Sequence, residues 1–330
     1  MESSLNKTIN FSKQIILSFN LPNKQQYETL IPFFKAGFKA GCHHFNIKYN
    51  CIINNKKQNL KEFIQFINEL INNSIKENKE YQNENKNIFS FSLTFNNNIL
   101  ETIPLDVEDL LKQNNENYRP KLIFIKFNEL NNWRMTKRKI KNEDNNSSST
   151  TINIKSNIQR RNYLIKNYSI KLINSLENYL ISGNLNSYGI CGINVENIED
   201  IFNELIIKPK YWQITLNQLL NNFEEIKNLA SKLNLFLIVD TTVGVGECKI
   251  NGNIRINLLR NISKKYERTV IQILHRWLIQ HEMFIIKNFG TFNYLNISRQ
   301  IGISDLKINE KDMNNLNDLY IIKSKEKIKR

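Results

Sequence analysis

The side chains best suited to binding a metal ion or a phosphate are few in this chain and poorly spaced for either task. His43 and His44 are adjacent in an apolar stretch. Adjacent residues of a strand point to opposite faces, so the two rings cannot readily bind one metal ion. His275 and His281 lie six residues apart and do not share a helical face. The segment 244–247, GVGE, lacks the full GxGxxG pattern of a phosphate-binding loop. The sequence therefore predicts no metal site and an ordinary loop at 244–247.

The cysteines show no binding pattern. Cys42, Cys51, Cys191 and Cys248 form neither a CxxC nor a CxxH pair, the spacings typical of zinc sites and redox motifs. We expect no disulfide framework, and a reducing compartment fits such a chain. The longest apolar runs are far shorter than the roughly 20 residues that cross a bilayer, and the first residues lack the apolar core of a signal peptide. We expect a cytoplasmic protein with no membrane partner.

Charge raises nucleic acid as a partner, because the formal net charge is +15. The basic residues are nevertheless spread along the chain, with local concentrations only at 134–141 and 323–330. Dispersed lysines are typical of a solvated surface. We therefore do not expect nucleic acid as a partner.

The elements that must position any site follow an alternating pattern of short apolar stretches and amphipathic stretches, which is typical of βα units. Strands are predicted at 41–47, 88–95, 121–127, 185–191, 212–216, 235–240 and 284–287, with an eighth near 299–303. Helices are predicted at 61–75, 107–113, 170–182, 195–205, 223–233 and 269–280. The strand count and the length of 330 residues predict one α/β domain over residues 1–330, folded as a (β/α)8 barrel.

One segment breaks this alternation. Residues 131–161 are polar, basic and rich in serine and asparagine, with no apolar period. Such a composition predicts a disordered, low-complexity insertion directly after the third of the predicted strands. It would emerge at the carboxyl-terminal rim of the barrel, where barrels of this type bind their ligands.

The stretch from Tyr266 to Asn288 carries a resemblance to a known family. Its apolar residues recur at i, i+3, i+4, i+7 and i+8 from Val270, and a short strand, FII, then ends at Lys287. This helix and strand resemble those of the aldo-keto reductases, in which a cofactor-binding lysine ends the strand. The resemblance implies the aldo-keto reductase type of barrel, with residues 14–19 starting a hairpin that closes the barrel bottom.

The resemblance also implies where four catalytic residues should lie: a tyrosine acid, a lysine, an aspartate and a histidine. The segment GCHHFNIKYN resembles the family's GYRHIDTAxxYG and places Asn46 at the aspartate. The tyrosine position falls on Cys51, or on Tyr49 if two residues are deleted. IFSFSLTF resembles VFITTKLW and places Leu93 at the lysine, and KLIFIKF resembles DLYLIHW and places Lys126 at the histidine.

These replacements imply a barrel that has kept the fold and lost the reductase chemistry. A phenol with no adjacent cation keeps a pKa of about 10, so Tyr49 would be a poor proton donor. Losing a general acid costs roughly 10² to 10⁴ in rate. The resemblance therefore implies a pseudoenzyme with no confident catalytic residue.

The cofactor pocket implied by the resemblance is also altered. GICGI resembles the family's GVSNF and puts Cys191 and Gly192 where a serine and an asparagine hold the nicotinamide amide. Asp240 replaces a stacking tyrosine, whereas Gln213 and Lys287 match the family's cofactor-binding glutamine and lysine. We expect no cofactor, and NADP(H) bound by Gln213 and Lys287 is the open alternative.

One non-catalytic branch of the family is similar over short stretches. KPKYWQITL at 208–216 resembles KPxxNQVNL, and FIIKNFG at 284–290 resembles VIVKSRG, of the regulatory (modifier) subunit of glutamate-cysteine ligase. The resemblance implies a non-catalytic regulatory subunit in glutathione biosynthesis that forms a heterodimer with the ligase catalytic subunit.

Two other functions stay open. The first is an NADP-dependent aldo-keto reductase that reduces aldehydes or ketones, with its chemistry rebuilt around Tyr49 and Lys126. The second is an accessory subunit of another assembly that uses the same fold.

Overall fold

A computed structural model describes residues 15–22, 24–39, 42, 44–49, 60–77, 90–95, 103–114, 119–127, 169–241, 253–288, 297, 303 and 305–317. The insertion predicted at 131–161, the loop predicted at 244–247 and the alternative tyrosine position, Cys51, lie outside these residues.

Eight parallel strands close into a barrel in which each strand pairs with the next and the last pairs with the first. They are β1 (Ile15–Asn20), β2 (His44–Tyr49), β3 (Ser90–Phe95), β4 (Leu122–Lys126), β5 (Ser187–Cys191), β6 (Tyr211–Thr215), β7 (Phe236–Asp240) and β8 (Phe284–Asn288). This arrangement confirms the predicted (β/α)8 fold, and seven of these strands overlap predicted ones.

Helices follow the strands and surround the barrel. They are α1 (Tyr27–Lys39), α2 (Leu60–Glu77), α3 (Leu105–Leu111), α4 (Glu177–Ile181), α5 (Ile198–Glu204), α6 (Leu216–Asn221), α7 (Phe223–Lys232), α8 (Asn253–Lys265) and α9 (Val270–Gln280). Local sequence explains where α9 begins: Thr269 accepts a hydrogen bond from the Gln272 backbone, and the Gln272 side chain accepts one from the Thr269 backbone. Within the described ranges, no helix has the length and hydrophobicity needed to cross a membrane.

The first strand corrects two sequence-based expectations. Residues 15–20 form β1 of the barrel rather than the start of a closing hairpin, since Leu17 pairs with both Phe45 and Lys287. The five residues from Ile15 to Phe19 are all buried, as expected for a strand covered on both faces. A strand near 299–303 is therefore not needed to close the barrel, and Ile303 is not part of a strand.

Outward-facing side chains form the larger core, between the strands and the helices. Aromatic rings fill the space between β1 and β2 on one side and α1 and α2 on the other. Phe19 meets Phe33, Phe34 and Phe63 edge to face, with ring centroids 5.7 to 6.0 Å apart. All of these rings are fully buried, and each burial contributes roughly 1.5 to 3 kcal/mol.

Inward-facing side chains fill the barrel itself. A smaller cluster, here the inner apolar cluster, comprises Ile16, Leu122, Phe124, Cys191, Tyr211, Ile238 and Ile286. Gly189 belongs to the same layer, because a Cβ atom there would lie 2.7 Å from the Phe124 ring. Membership of this cluster shows which residues of each strand point into the barrel.

The turn after β5 supplies a stability prediction. Gly192 has φ of +73° and Gly183 has φ of +74°, so alanine is strained at both. A Cβ atom at Gly192 would also overlap the Phe127 carbonyl oxygen, whereas a Cβ atom at Gly183 meets nothing within 4 Å. We expect Gly192→Ala to lower the free energy of unfolding by about 3 kcal/mol and Gly183→Ala by about 1 kcal/mol. Urea unfolding checks this, and equal losses would contradict the backbone overlap.

Candidate functional site

Polar side chains meet at the carboxyl-terminal end of the barrel interior. Lys48, Lys126, Gln213 and Asp240 each follow, by two residues, an inward-facing residue of the same strand: Asn46, Phe124, Tyr211 and Ile238. Because residues i and i+2 of a strand share a face, these four side chains point into the barrel with Cys191. Together the five residues are called the mouth here.

The strand register places Lys126, Cys191 and Gln213 side by side on neighbouring strands. Lys126 pairs with Cys191, and Cys191 pairs with Gln213. Lys48 pairs with Thr94 on β3. Asp240 is the last residue of β7 and pairs with Ile286. The mouth therefore combines two lysines and one aspartate at the end of the barrel where (β/α)8 enzymes carry their active sites.

Burial and neighbouring charges change the protonation of two mouth groups. Burial lowers the pKa of Lys48, Asp240 partly opposes this, and Lys126 lowers it further. Burial raises the pKa of the Cys191 thiol to about 12. That thiol donates a hydrogen bond to the Ile125 carbonyl oxygen at 3.6 Å. Cys191 therefore stays protonated and is a poor nucleophile, while the lowered pKa of Lys48 makes its ammonium form less favoured than that of an exposed lysine.

Sequence reasoning identified Lys126 and missed Lys48. The signal was present in HHFNIKY, because Lys48 follows Asn46 by two residues on one strand and must share its face. The family motif instead indicated the tyrosine position, which falls on Tyr49 or Cys51.

Asn46 lies inside the barrel and is held by hydroxyl groups. Its amide nitrogen donates to the Ser18 hydroxyl oxygen at 2.9 Å. Its amide oxygen accepts from Ser92 at 2.8 Å and from Thr94 at 3.0 Å. All four side chains are buried. The position that the resemblance gives to a charged aspartate therefore holds a neutral, hydrogen-bonded network.

The structure corrects the position expected for the family's lysine. Leu93 is fully buried in the outer core and points away from the barrel interior. Its neighbour Thr94 points inward and contacts Asn46. The sequence alignment of β3 was therefore displaced by one residue, and in a strand a displacement of one moves every side chain to the other face.

Tyr49 is also outside the mouth. Its ring belongs to the outer core and lies 6.1 Å from the Phe95 ring. Its hydroxyl donates to Asp106 Oδ2 on α3 at 2.5 Å. The catalytic pair expected for a rebuilt reductase, Tyr49 with Lys126, is therefore not brought together, because the two side chains lie on opposite faces of the sheet.

The two residues expected to bind a cofactor lie near the same end of the barrel. The Gln213 amide oxygen is buried and has no hydrogen-bond partner among the described residues. Lys287 is buried, and its ammonium donates to the Thr241 carbonyl oxygen at 2.9 Å. Burial lowers the pKa of Lys287, and Asp240 partly opposes this. Lys287 is the penultimate residue of β8 and lies on the opposite face from Ile286, so its side chain is at the carboxyl end of the strand and outside the barrel interior.

These residues fit part of a nicotinamide site. An orphaned amide oxygen in the mouth suits the amino group of a carboxamide, and a lysine at the rim suits a phosphate. Asp240, by contrast, offers a carboxylate where the resemblance expects an aromatic face.

Below the mouth, His44 is fully buried in the barrel. Its Nδ1 atom lies 2.6 Å from the Ser90 hydroxyl oxygen, and burial lowers the pKa of His44 to about 3. The ring is therefore neutral at physiological pH. Across the ranges that the structure describes, no group of three His, Cys, Asp or Glu side chains is arranged to hold a metal ion.

Comparison with known proteins agrees with this barrel. Residues 165–321 match the aldo/keto reductase family. Aldose reductase C of Dictyostelium discoideum is 26% identical over 144 residues, which is 44% of this chain and 43% of that protein. Aldose reductase B of the same organism is 25% identical over 144 residues, 44% of each chain. The chain thus matches less than half the length of these curated relatives.

Solved structures extend the likeness to the whole barrel. The aldose reductase from Schistosoma japonicum superimposes with a TM-score of 0.56 at 15% identity, over 92% of this chain and 87% of that chain. An aldo/keto reductase from Brucella melitensis gives a TM-score of 0.57 at 13% identity, over 93% and 94%. Identities this low show the fold alone. The match to residues 165–321 relates that part of the chain to the aldo/keto reductase family, and the solved structures extend the likeness in fold to the rest of the barrel.

The buried His44 supplies a prediction of pH dependence. The pKa of His44 is about 3 in the folded chain against 6.5 for an ordinary histidine. The unfolded chain therefore binds a proton below pH 6.5 that the folded chain does not, and stability falls as the pH falls. We expect this group alone to remove about 2 kcal/mol between pH 7.5 and pH 5.

Urea unfolding of the natural chain and of His44→Gln at both pH values measures that contribution. The natural chain should lose more stability than the variant, because glutamine does not titrate. The same pH dependence in both proteins would contradict a neutral, buried His44.

Proposed function

We propose that this chain binds NADP(H) and reduces aldehydes or ketones, with Lys126 as the proton donor in place of a tyrosine. The observation that carries this proposal is the inward direction of Lys126 at the end of β4, level with Cys191 and Gln213. The family match and the relatives named aldose reductase support a reductase over a ligase regulatory subunit.

The cofactor would supply the hydride, and the chain would orient it. The unpartnered Gln213 oxygen would accept a hydrogen bond from a carboxamide group. Lys287 uses one proton on the Thr241 carbonyl oxygen and keeps two others that can contact a phosphate at the rim.

Lys126 would bind the carbonyl oxygen of the substrate. An ammonium group donates up to three hydrogen bonds, and a hydrogen bond from a charged donor is roughly twice as strong as a neutral one. As the oxygen gains negative charge, the ammonium stabilises it and transfers a proton to it.

The test is NADPH consumption with a panel of uncharged aldehydes and ketones. We expect Lys126→Gln to lower kcat/KM by about 10², the usual effect of losing a general acid. Tyr49→Phe is the matched control: the structure places this hydroxyl on Asp106 outside the mouth, so its activity should stay within about twofold.

Three outcomes would contradict the proposal. Turnover that is unchanged in Lys126→Gln would exclude the proton-donor role, and turnover lost in Tyr49→Phe would return the role to the phenol. NADPH binding, followed by fluorescence, should weaken in Lys287→Gln. If NADPH neither binds nor is consumed, the reductase proposal is wrong.

A second candidate is the regulatory subunit of glutamate-cysteine ligase, bound to the ligase catalytic subunit. The observation that favours it is the neutral Asn46 network, because the hydroxyls of Ser18, Ser92 and Thr94 occupy its amide. No ionised pair remains there to tune an acid. The buried cysteines Cys42 and Cys191 form no disulfide, which fits the reducing cytoplasm in which this partner would act.

Association with the ligase catalytic subunit from the same source tests this candidate. We expect a stable complex at micromolar protein and a lower KM for glutamate. Lys126→Gln should associate equally well, because docking of the barrel does not depend on the interior of its mouth. Absence of both a complex and a kinetic effect would contradict the candidate.

A further inference from the structure

The proposed reductase leaves one polar side chain of the mouth without a role. Lys48 is the fifth residue of β2, where it pairs with Asn20 on β1 and with Thr94 on β3. Its side chain is half-buried and points into the barrel. Lys126 and Asp240 are close enough to influence its protonation.

We propose that Lys48 is a nucleophile whose amine condenses with the carbonyl carbon of an aldehyde or ketone in the mouth to form an imine. This activity needs no NADP(H), so it does not depend on the proposed reductase. It takes the same chemical class of substrate, small carbonyl compounds, because both use the same opening.

An imine requires a neutral amine, and the surroundings of Lys48 favour one. Burial lowers the pKa of Lys48, and the neighbouring Lys126 cation lowers it further. A desolvated lysine beside another cation is the usual arrangement of imine-forming lysines. Each unit by which a pKa falls increases the neutral fraction at a given pH about tenfold.

The other mouth residues can complete the reaction. The amine lone pair forms the C–N bond while the C=O π electrons move to the oxygen, which Lys126 protonates. Asp240 accepts the proton released from nitrogen. Asp240 returns that proton to the hydroxyl group of the resulting carbinolamine, which leaves as water while the nitrogen lone pair forms the C=N bond. The iminium nitrogen then releases its remaining proton to Lys126. No oxidant or reductant is needed.

The alternative nucleophile in the mouth does not compete. Burial raises the pKa of the Cys191 thiol to about 12, so a negligible fraction is thiolate at neutral pH. A carbonyl adduct in the mouth would therefore form on the Lys48 nitrogen rather than on the Cys191 sulfur.

Reductive trapping tests the proposal on the intact chain. The chain is treated briefly at pH 7 with hydroxyacetone and cyanoborohydride, without NADP(H), and the alkylated lysines are mapped by mass spectrometry. We expect Lys48 to be alkylated at least about tenfold faster than exposed Lys61 on α2. In urea the two rates should become equal, because the preference comes from the folded mouth.

Variants separate the roles. Lys48→Arg keeps the positive charge but cannot form an imine, so the fast-labelled site should disappear. Lys126→Gln should slow labelling of Lys48, because both the neighbouring cation and the proton donor are gone. Lys61→Arg should leave labelling of Lys48 unchanged.

The outcomes are decisive even if a variant fails to fold, because the mapping uses the natural chain. Labelling of Lys48 no faster than Lys61 would overturn the proposal. Fast labelling of Lys48 in a chain that consumes no NADPH would support imine formation and would contradict only the reductase proposal. NADPH consumption without fast labelling of Lys48 would support the reductase proposal and contradict imine formation.

Discussion

The pairing of β1 with both β2 and β8 is the constraint on which the rest of this structure depends. Closure gives every strand two neighbours and leaves each side chain only two directions, into the barrel or out toward the helices. Leu17 pairs with Phe45 on one side and with Lys287 on the other, which fixes the register of three strands at once. With the register fixed, Asn46 and Lys48 must face inward, and Tyr49 and Leu93 must face outward.

The barrel interior is divided into two kinds of environment. On the β1 to β3 side, Ser18, Asn46, Ser92 and Thr94 form a neutral hydrogen-bonded network. From β4 to β8 the lower interior is apolar. The side chains of Lys48, Lys126 and Asp240 lie near the carboxyl ends of their strands, where each is partly exposed. This arrangement satisfies buried polar groups with hydroxyls and keeps ionised groups near water, where charges are less costly.

Likeness to the family and retention of its chemistry are separate questions in this chain. The family match lies at 165–321 and includes the strands that carry Gln213, Asp240 and Lys287. The positions that the resemblance gives to catalytic groups lie earlier, on β2 to β4. A fold tolerates such changes because its stability comes from the outer core, whereas catalysis depends on a few inward side chains. The lysines of the mouth are therefore the residues on which a chemical function of this chain would depend.

Local sequence alone determined seven of the strands and most of the helices, since apolar runs, helical periodicity and the capping residues Thr269 and Gln272 are local signals. It also identified Asn46 as a replacement for a charged residue and Lys126 as a lysine at a strand end. Tertiary structure decided that residues 15–20 form a barrel strand and that Thr94 rather than Leu93 faces inward. It also decided that the Tyr49 hydroxyl donates to Asp106 and that Lys48 lies near enough to Lys126 for the two charges to interact. The physical reason is register: which face a strand residue occupies depends on pairing with distant strands, and a shift of one residue reverses it.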